Sequence, residues 1–340
     1  MIAKARHNHL RTMVFLLAAF IALQSIMALL SHERAFQYYA RIYLLIEINI
    51  ILTASLSLIN GFTGQFSLGH AGFMAVGAYG SVIVTTVLPR MISNHALSVD
   101  SISHHFLFVA SIIIGGVFAG IFGFIIGFPS LRLKGDYLAI VTLAAGEVIR
   151  ALLRFSDFLG GPRGIPGIPK FTGLVYMGTF FILCLWILRN IVFSHFCRSC
   201  IAVRDNEIAA ASLGINTTFQ KVSAFVLGAF FAGIAGGLFA HSSQYINPDN
   251  FGFLKTLDIL IFLYVGGCRT LAGSLIGAGL FTLVPEGLRA VNIENWRMVL
   301  YPLILIIVMR FRMNGIMGNR EFEFLKPWKF KEMVIKRGTA

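Results

Sequence analysis

Six stretches of this chain, Met13–Leu30, Ile42–Ile59, Phe106–Phe128, Gly173–Phe193, Phe225–Ala240 and Val299–Val308, are long or nearly uncharged apolar runs. Several approach the roughly 20 residues that a membrane-spanning helix needs. Soluble domains are near 45–50% apolar and about 25% charged. This chain is 57% apolar and 13% charged, with a mean hydropathy of +0.79. A soluble core of 340 residues has no room for that much apolar surface, so lipid must be the solvent for much of it.

Glycine usage sharpens this reading. In a soluble helix each glycine would cost about 1 kcal/mol, yet glycines are spread through the apolar runs. Gly115, Gly116, Gly120, Gly123 and Gly127 form overlapping ladders of small residues at four-residue spacing. Between membrane helices such ladders permit close backbone approach, which predicts a packed bundle. The expected fold is all-α: a polytopic helical bundle with about ten hydrophobic segments, 8–10 crossings, some broken or interrupted by glycine. The segments are expected near 13–30, 41–60, 67–88, 106–128, 136–153, 172–193, 220–241, 255–266, 271–290 and 297–311. Residues 136–153 are less apolar than the rest. The whole chain, 1–340, reads as one transmembrane domain with a basic tail at 313–340.

The formal charge of +13 does not indicate nucleic-acid binding, because the basic residues flank apolar runs and gather on no soluble face. The positive-inside rule accounts for them. Lys4, Arg6 and Arg11 precede the first run, and eight of the 28 Lys and Arg lie from Arg310 onward. Both termini are therefore expected in the cytoplasm. Residues 1–30 look superficially like a signal peptide, but Ser31-His32-Glu33-Arg34 supplies no small-x-small cleavage site; the first run is read as a membrane helix.

No G-x-x-x-x-G-K-[ST] phosphate loop occurs, so no nucleotide or other cofactor is expected on this chain. No nucleophile–base–acid spacing and no two-histidine metal signature stands out. Cys197 and Cys200 are three apart in a polar loop predicted to be cytoplasmic, where thiols stay reduced. A metal site there would need two further ligands, and only His195 is near; none is expected.

The most informative polar segment is VRDNEIAAASLGIN at 203–216. Asp205 is expected to cap a helix over 206–213 that Gly214 closes. Such a helix is too short to span and suits either a solvated loop or insertion into a partner's groove. This segment closely resembles the cytoplasmic coupling segment of branched-chain amino acid ABC transporter permeases of the LivM type. Four further blocks agree in order and spacing: NGFTGQFSLGHAGFMAVGAY at 60–79; LRLKGDYLAIVTL at 131–143 with Glu147 and Arg150 after it; GGPRGI at 160–165; and INPD at 246–249 joined to VGG at 265–267 and PE at 285–286. Together they span about 41–312. Arg269 stands where the family usually has glycine, and Cys197-Arg198-Ser199 where it tends to have Gly-Arg-Ala.

The resemblance implies a permease subunit, not an enzyme, in a bacterial inner membrane. Its implied partners are a second related permease chain, two cytoplasmic ABC ATPases that use the ATP, and a periplasmic solute-binding protein. It further implies that Arg204, Asp205 and Glu207 contact an ATPase, with Ala209, Ala210 and Gly214 allowing a close fit. Branched-chain amino acids are the implied solute; urea, short amides or other amino acids are alternatives, and an ion-coupled carrier is a different class of reading.

Broken membrane helices mark transport sites, because freed backbone groups need partners or a wet cavity. The glycine-interrupted stretch 60–70 fits, and Gly64, Gln65, Ser67 and His70 are the candidate pathway residues. Glu47 lies inside an apolar run, where a charge costs about 2.5 kcal/mol or more; burial with hydrogen-bond partners, pairing at the boundary with Arg41 or a functional role would explain it. Asp136 and Glu147 are eleven residues apart and share a helix face, and Arg150 is placed to pair with Glu147.

Overall fold

In lipid a spanning backbone must satisfy its N–H and C=O groups internally, in helices or a closed barrel, and the computed structural model takes the first course, helical almost throughout. It describes Gln24 and residues 34–87, 102–131, 133, 135–170, 173–290, 296–312, 314–318, 320–323 and 325–326. Helix α1, Arg34–Leu56, is prolonged by a π-helical turn at Ser57–Phe62. After an irregular stretch, α2 covers His70–Val82 and ends in a second π-helical turn, Ile83–Val87. Then come α3, Ile102–Ser130, and α4, Asp136–Phe155. Two short 3-10 turns and strand β1, Ile165–Pro166, lead to α5, Leu174–Val192.

Two short helices follow, α6 at His195–Asp205 and α7 at Glu207–Ser212. Helix α8, Thr217–Ser243, runs into strand β2, Tyr245–Ile246, and a 3-10 turn at Pro248–Phe251. Helices α9, Phe253–Gly266, α10, Leu271–Ala290, and α11, Arg297–Phe311, complete the described core. Nine of the ten expected hydrophobic segments coincide with helices; the first, 13–30, lies outside the described residues except for Gln24, which is helical. Among the described residues, five helices are long and apolar enough to cross a membrane: Gln37–Phe62, Phe106–Ser130, Leu174–Val192, Thr217–Ser243 and Leu271–Arg289.

Helix α8 is the spine, packed against α1, α2 and α3. The α3 ladder shows why the glycines are there. A Cβ on Gly123 would lie 2.6 Å from Ala229 and one on Gly127 2.8 Å from the Phe225 ring, both on α8. Gly115 turns instead toward α2, where a Cβ would lie 2.5 Å from the Gly77 carbonyl oxygen. Since lipid is as apolar as leucine, this closeness gains mainly dispersion energy. The outer face of α3 carries exposed Ile113, Val117, Ile121 and Ile125, as a lipid-facing surface should.

With 27 residues, α8 is about 40 Å long, so it separates two ends of the molecule. At one end, β1 and β2 pair antiparallel, Ile165 opposite Ile246 and Pro166 opposite Tyr245. At the other lie α6, α7, the break after α1 and the turn between α9 and α10.

The polar segment 194–218 differs from expectation. It holds two helices, and the cap of the second is Asn206, whose side chain accepts the Ala209 N–H at 3.0 Å. Asn206 is the extended residue between them. Asp205 is still the last residue of α6, with its carboxylate engaged by Arg204 at 2.9 and 3.0 Å, so it is not free to cap.

Candidate functional site

The break between α1 and α2 is the least regular part of the bundle. The chain leaves α1 through the π-helical turn, a feature that often marks functional sites, and residues 64–69 form no helix. Side chains satisfy much of the freed backbone. Asn60 accepts the Ser67 N–H at 3.2 Å and faces the Ser67 carbonyl at 3.5 Å, so one amide bridges the break in both directions. The Leu68 N–H donates to Thr142 Oγ1 of α4 at 3.0 Å. Asn60 and Thr142 were absent from the candidate residues read from the sequence; both fall in family-like blocks, but nothing local distinguishes an amide or hydroxyl that replaces a backbone partner.

Of the candidate pathway residues, Gln65, Ser67 and His70 are buried and Gly64 is exposed. His70 Nε2 lies 2.8 Å from Ser55 Oγ. Both amide atoms of Gln65, the Ser67 hydroxyl and His70 Nδ1 have no hydrogen-bond partner among the described residues, although buried polar atoms are nearly always partnered. Gly64 has φ +71, and a Cβ there would lie 2.5 Å from Arg204 Cγ. Side-chain-free, left-handed backbone is what this contact requires.

Arg204 brings the two groups of candidates together. It reaches from α6 into the end of α1, where its Nη1 donates to the Gly61 carbonyl oxygen at 2.9 Å. Its side chain is 18% exposed and also forms the Asp205 ion pair. On its other side Gly61 meets the turn between α9 and α10: a Cβ would lie 1.7 Å from the Cys268 carbonyl oxygen. Three chain segments far apart in sequence thus converge on one glycine.

The remaining residues of 203–214 divide by direction. Glu207 pairs with Lys221 of α8 at 2.7 Å, and Ala210 is buried against the bundle. Asp205 and Ala209 are exposed. Gly214 has φ +82 with open space around it, so it ends α7 as a left-handed cap and is not held by a close contact. Ile208 and Leu213, each 81% exposed, and Phe219, 61% exposed, form an outward apolar surface. On the inner side of α6, Cys197 and Cys200 are buried, and burial pushes both thiols up to about 12; they pack as small core residues.

The α9–α10 turn is also clasped by the stretch after α11, which the sequence presented only as a basic tail. The Ile316 and Met317 N–H groups donate to the Val265 and Gly266 carbonyls at 2.8 and 3.1 Å. Glu321 accepts the Leu271 and Ala272 N–H groups at 2.9 and 2.7 Å, capping α10 across 50 residues of sequence. Burial raises the Glu321 carboxyl above its ordinary range, while those N–H donors oppose the shift. Arg189, at the end of α5, donates to the Leu325 carbonyl oxygen. Arg269 itself is exposed in this turn.

The other sequence candidates lie elsewhere. Glu47 is 2% exposed, hydrogen-bonded by Gln24 at 2.5 Å, and so is buried with a partner rather than paired with Arg41 at a boundary. Arg150 pairs with Glu147 at 2.7 Å and approaches Asp249 at 3.7 Å, joining α4 to the turn after β2 at the opposite end. Asp136 is exposed in the first turn of α4. Among the described residues no group of three or more His, Cys, Asp or Glu is arranged to hold a metal.

A family model described as branched-chain amino acid transport system / permease component matches residues 38–309. The high-affinity branched-chain amino acid transport system permease protein LivM of Escherichia coli K12 is 31% identical, the match covering 86% of this chain and 71% of the relative. The LivH protein of the corresponding system in Salmonella typhimurium is 24% identical over 80% of this chain and 92% of its own length. A probable LivM permease of Methanocaldococcus jannaschii is 26% identical, over 84% and 94%. No solved structure matches.

Proposed function

Because this chain belongs to the family of permease components of branched-chain amino acid transport systems, we propose that it is one permease subunit of an ATP-driven importer of branched-chain amino acids. It acts beside a second, related permease chain, takes solute from a periplasmic binding protein, and is driven by two separate cytoplasmic ATPases. Both termini and the α6–α7 end lie in the cytoplasm of a bacterial cell whose inner membrane the bundle spans.

The observation that carries this reading is the Arg204–Gly61 contact. Transport driven from outside the chain needs a solid link between the surface that receives force and the membrane segment that must move. The exposed Ile208, Leu213 and Phe219 suit insertion into a partner groove. Behind them Arg204 binds the carbonyl of Gly61, where α1 breaks. Movement of α6 and α7 therefore pulls on the break, and the groups of Gln65, Ser67 and His70 that have no partner among the described residues can exchange partners as it shifts.

Purification from native membranes tests this. Two ATPases and a second permease should accompany the wild-type chain, and the double variant Ile208→Asp, Leu213→Asp should lose the ATPases while keeping the other permease. A chain that came alone and moved solute into liposomes without ATP would instead be an ion-coupled carrier.

A further inference from the structure

At the end of the molecule opposite Arg204, the beginning of α1 and the last turns of α10 border an open cleft of about 650 Å³, within the range of about 300–1,000 Å³ usual for small-ligand sites. Its lining is divided by chemistry. Ile42, Ile46 and Leu283 supply an apolar wall. Beside them Glu286 and Arg289 form an ion pair at 3.5 Å, one helical turn apart on α10, and the Tyr38 hydroxyl donates to Glu286 from α1. Glu286 lies 15 residues into α10, about 22 Å along the axis from the α9–α10 turn, so this cleft sits far from the coupling end.

We propose that this cleft receives the free amino acid at the outer mouth of the permease: Arg289 takes the α-carboxylate, Glu286 and Tyr38 take the α-ammonium group, and the apolar wall takes the branched side chain. The inference rests on the proposed transport function and adds where the solute is held. A guanidinium matches a carboxylate in a bidentate geometry, and a zwitterion brings one opposite charge to each member of the pair. Binding therefore exchanges one intramolecular ion pair for two intermolecular ones, and leaves no charge unpaired near the membrane. Tyr38, although 43% exposed, donates to Glu286 across 248 residues of sequence, which places its hydroxyl at this cleft.

Gly287 offers a test that spares the fold. It lines the cleft, and a Cβ there meets no atom within 4 Å, so Gly287→Leu fills the cleft while favouring the helix. The complete transporter, reconstituted in liposomes with its binding protein, is assayed for leucine and valine uptake and for ATP hydrolysis stimulated by loaded binding protein. Glu286→Gln and Arg289→Gln should each lower uptake roughly ten- to hundredfold, the effect of removing a hydrogen bond to a charged group, with stimulated hydrolysis retained. Gly287→Leu should impair leucine more than the smaller valine. Wild-type uptake in all three variants would overturn the inference. So would a parallel fall of uptake and hydrolysis with no leucine–valine difference, the mark of a structural role. A wild-type complex that moves neither amino acid would overturn the transport reading, and this inference with it.

Discussion

Two regions at opposite ends of the bundle, the loops around β1 and β2 and the break after α1, are held in different ways. At the far end the loops are joined backbone to backbone: β1 pairs with β2, the Ile168 N–H donates to the Gln244 carbonyl at 3.2 Å, and Gly164, at φ +73, lies where a Cβ would be 2.0 Å from the Ile246 carbonyl oxygen. At the α6–α7 end the break after α1 is joined to its neighbours by side chains, Asn60, Thr142 and Arg204, and buried polar atoms of Gln65, Ser67 and His70 lack partners among the described residues. Backbone pairing fixes one arrangement. Side-chain links beside spare donors and acceptors allow a second, which suits the end that ATP hydrolysis elsewhere is proposed to move.

The largest effects should come from glycines at both ends. Gly61→Val and Gly164→Val each force a side chain onto a carbonyl oxygen, and overpacking of this kind costs about 1–3 kcal/mol or more. Both should lower the melting temperature in detergent. If the contrast is right, only Gly61→Val also abolishes ATP hydrolysis stimulated by binding protein in protein that still assembles; equal loss in both would erase the distinction.

Arginine substitutions separate the ends more finely. Arg204→Ala removes a mostly buried charge-assisted bond, of about 1.5–3 kcal/mol, and should cut uptake about tenfold with the ATPases still bound. Arg150→Gln loses a partly exposed ion pair of about 1 kcal/mol or less and should transport nearly as wild type. A larger defect in Arg150→Gln would transfer the sensitive link to the far end.

The smallest expected signal is at Cys197 and Cys200. Because burial pushes their thiols up to about 12, both remain protonated at pH 8, and the nucleophilic thiolate is scarce. Mass spectrometry should find neither modified by N-ethylmaleimide in the resting protein, and both modified in detergent-denatured chain. Labelling that appears only during ATP turnover would show that α6 moves; labelling at rest would contradict its tight packing.

Hydrophobic patterning made most of the helices legible. Residues 271–290 and 297–311 fold as α10 and α11 within the bounds read from apolar runs, because in lipid a long apolar segment has few alternatives to a helix. The Glu147–Arg150 pair was equally readable, since a separation of three places both on one helix face. The α6–α7 boundary was less so: Asp205 and Asn206 are both good caps, and the choice turned on Arg204 claiming the Asp205 carboxylate.

By itself, then, the sequence determined that this chain lives in a membrane as a glycine-packed helical bundle, and which of its segments resemble a transport permease. Those properties follow from composition and local period, which each stretch carries alone. Only the tertiary structure decided that Arg204 meets Gly61, that Glu321 caps α10, and that Tyr38 faces Glu286. These pairs are separated by 49 to 248 residues, and no local pattern of charge or hydropathy states which distant carbonyl, N–H or hydroxyl a side chain will find once the helices have packed.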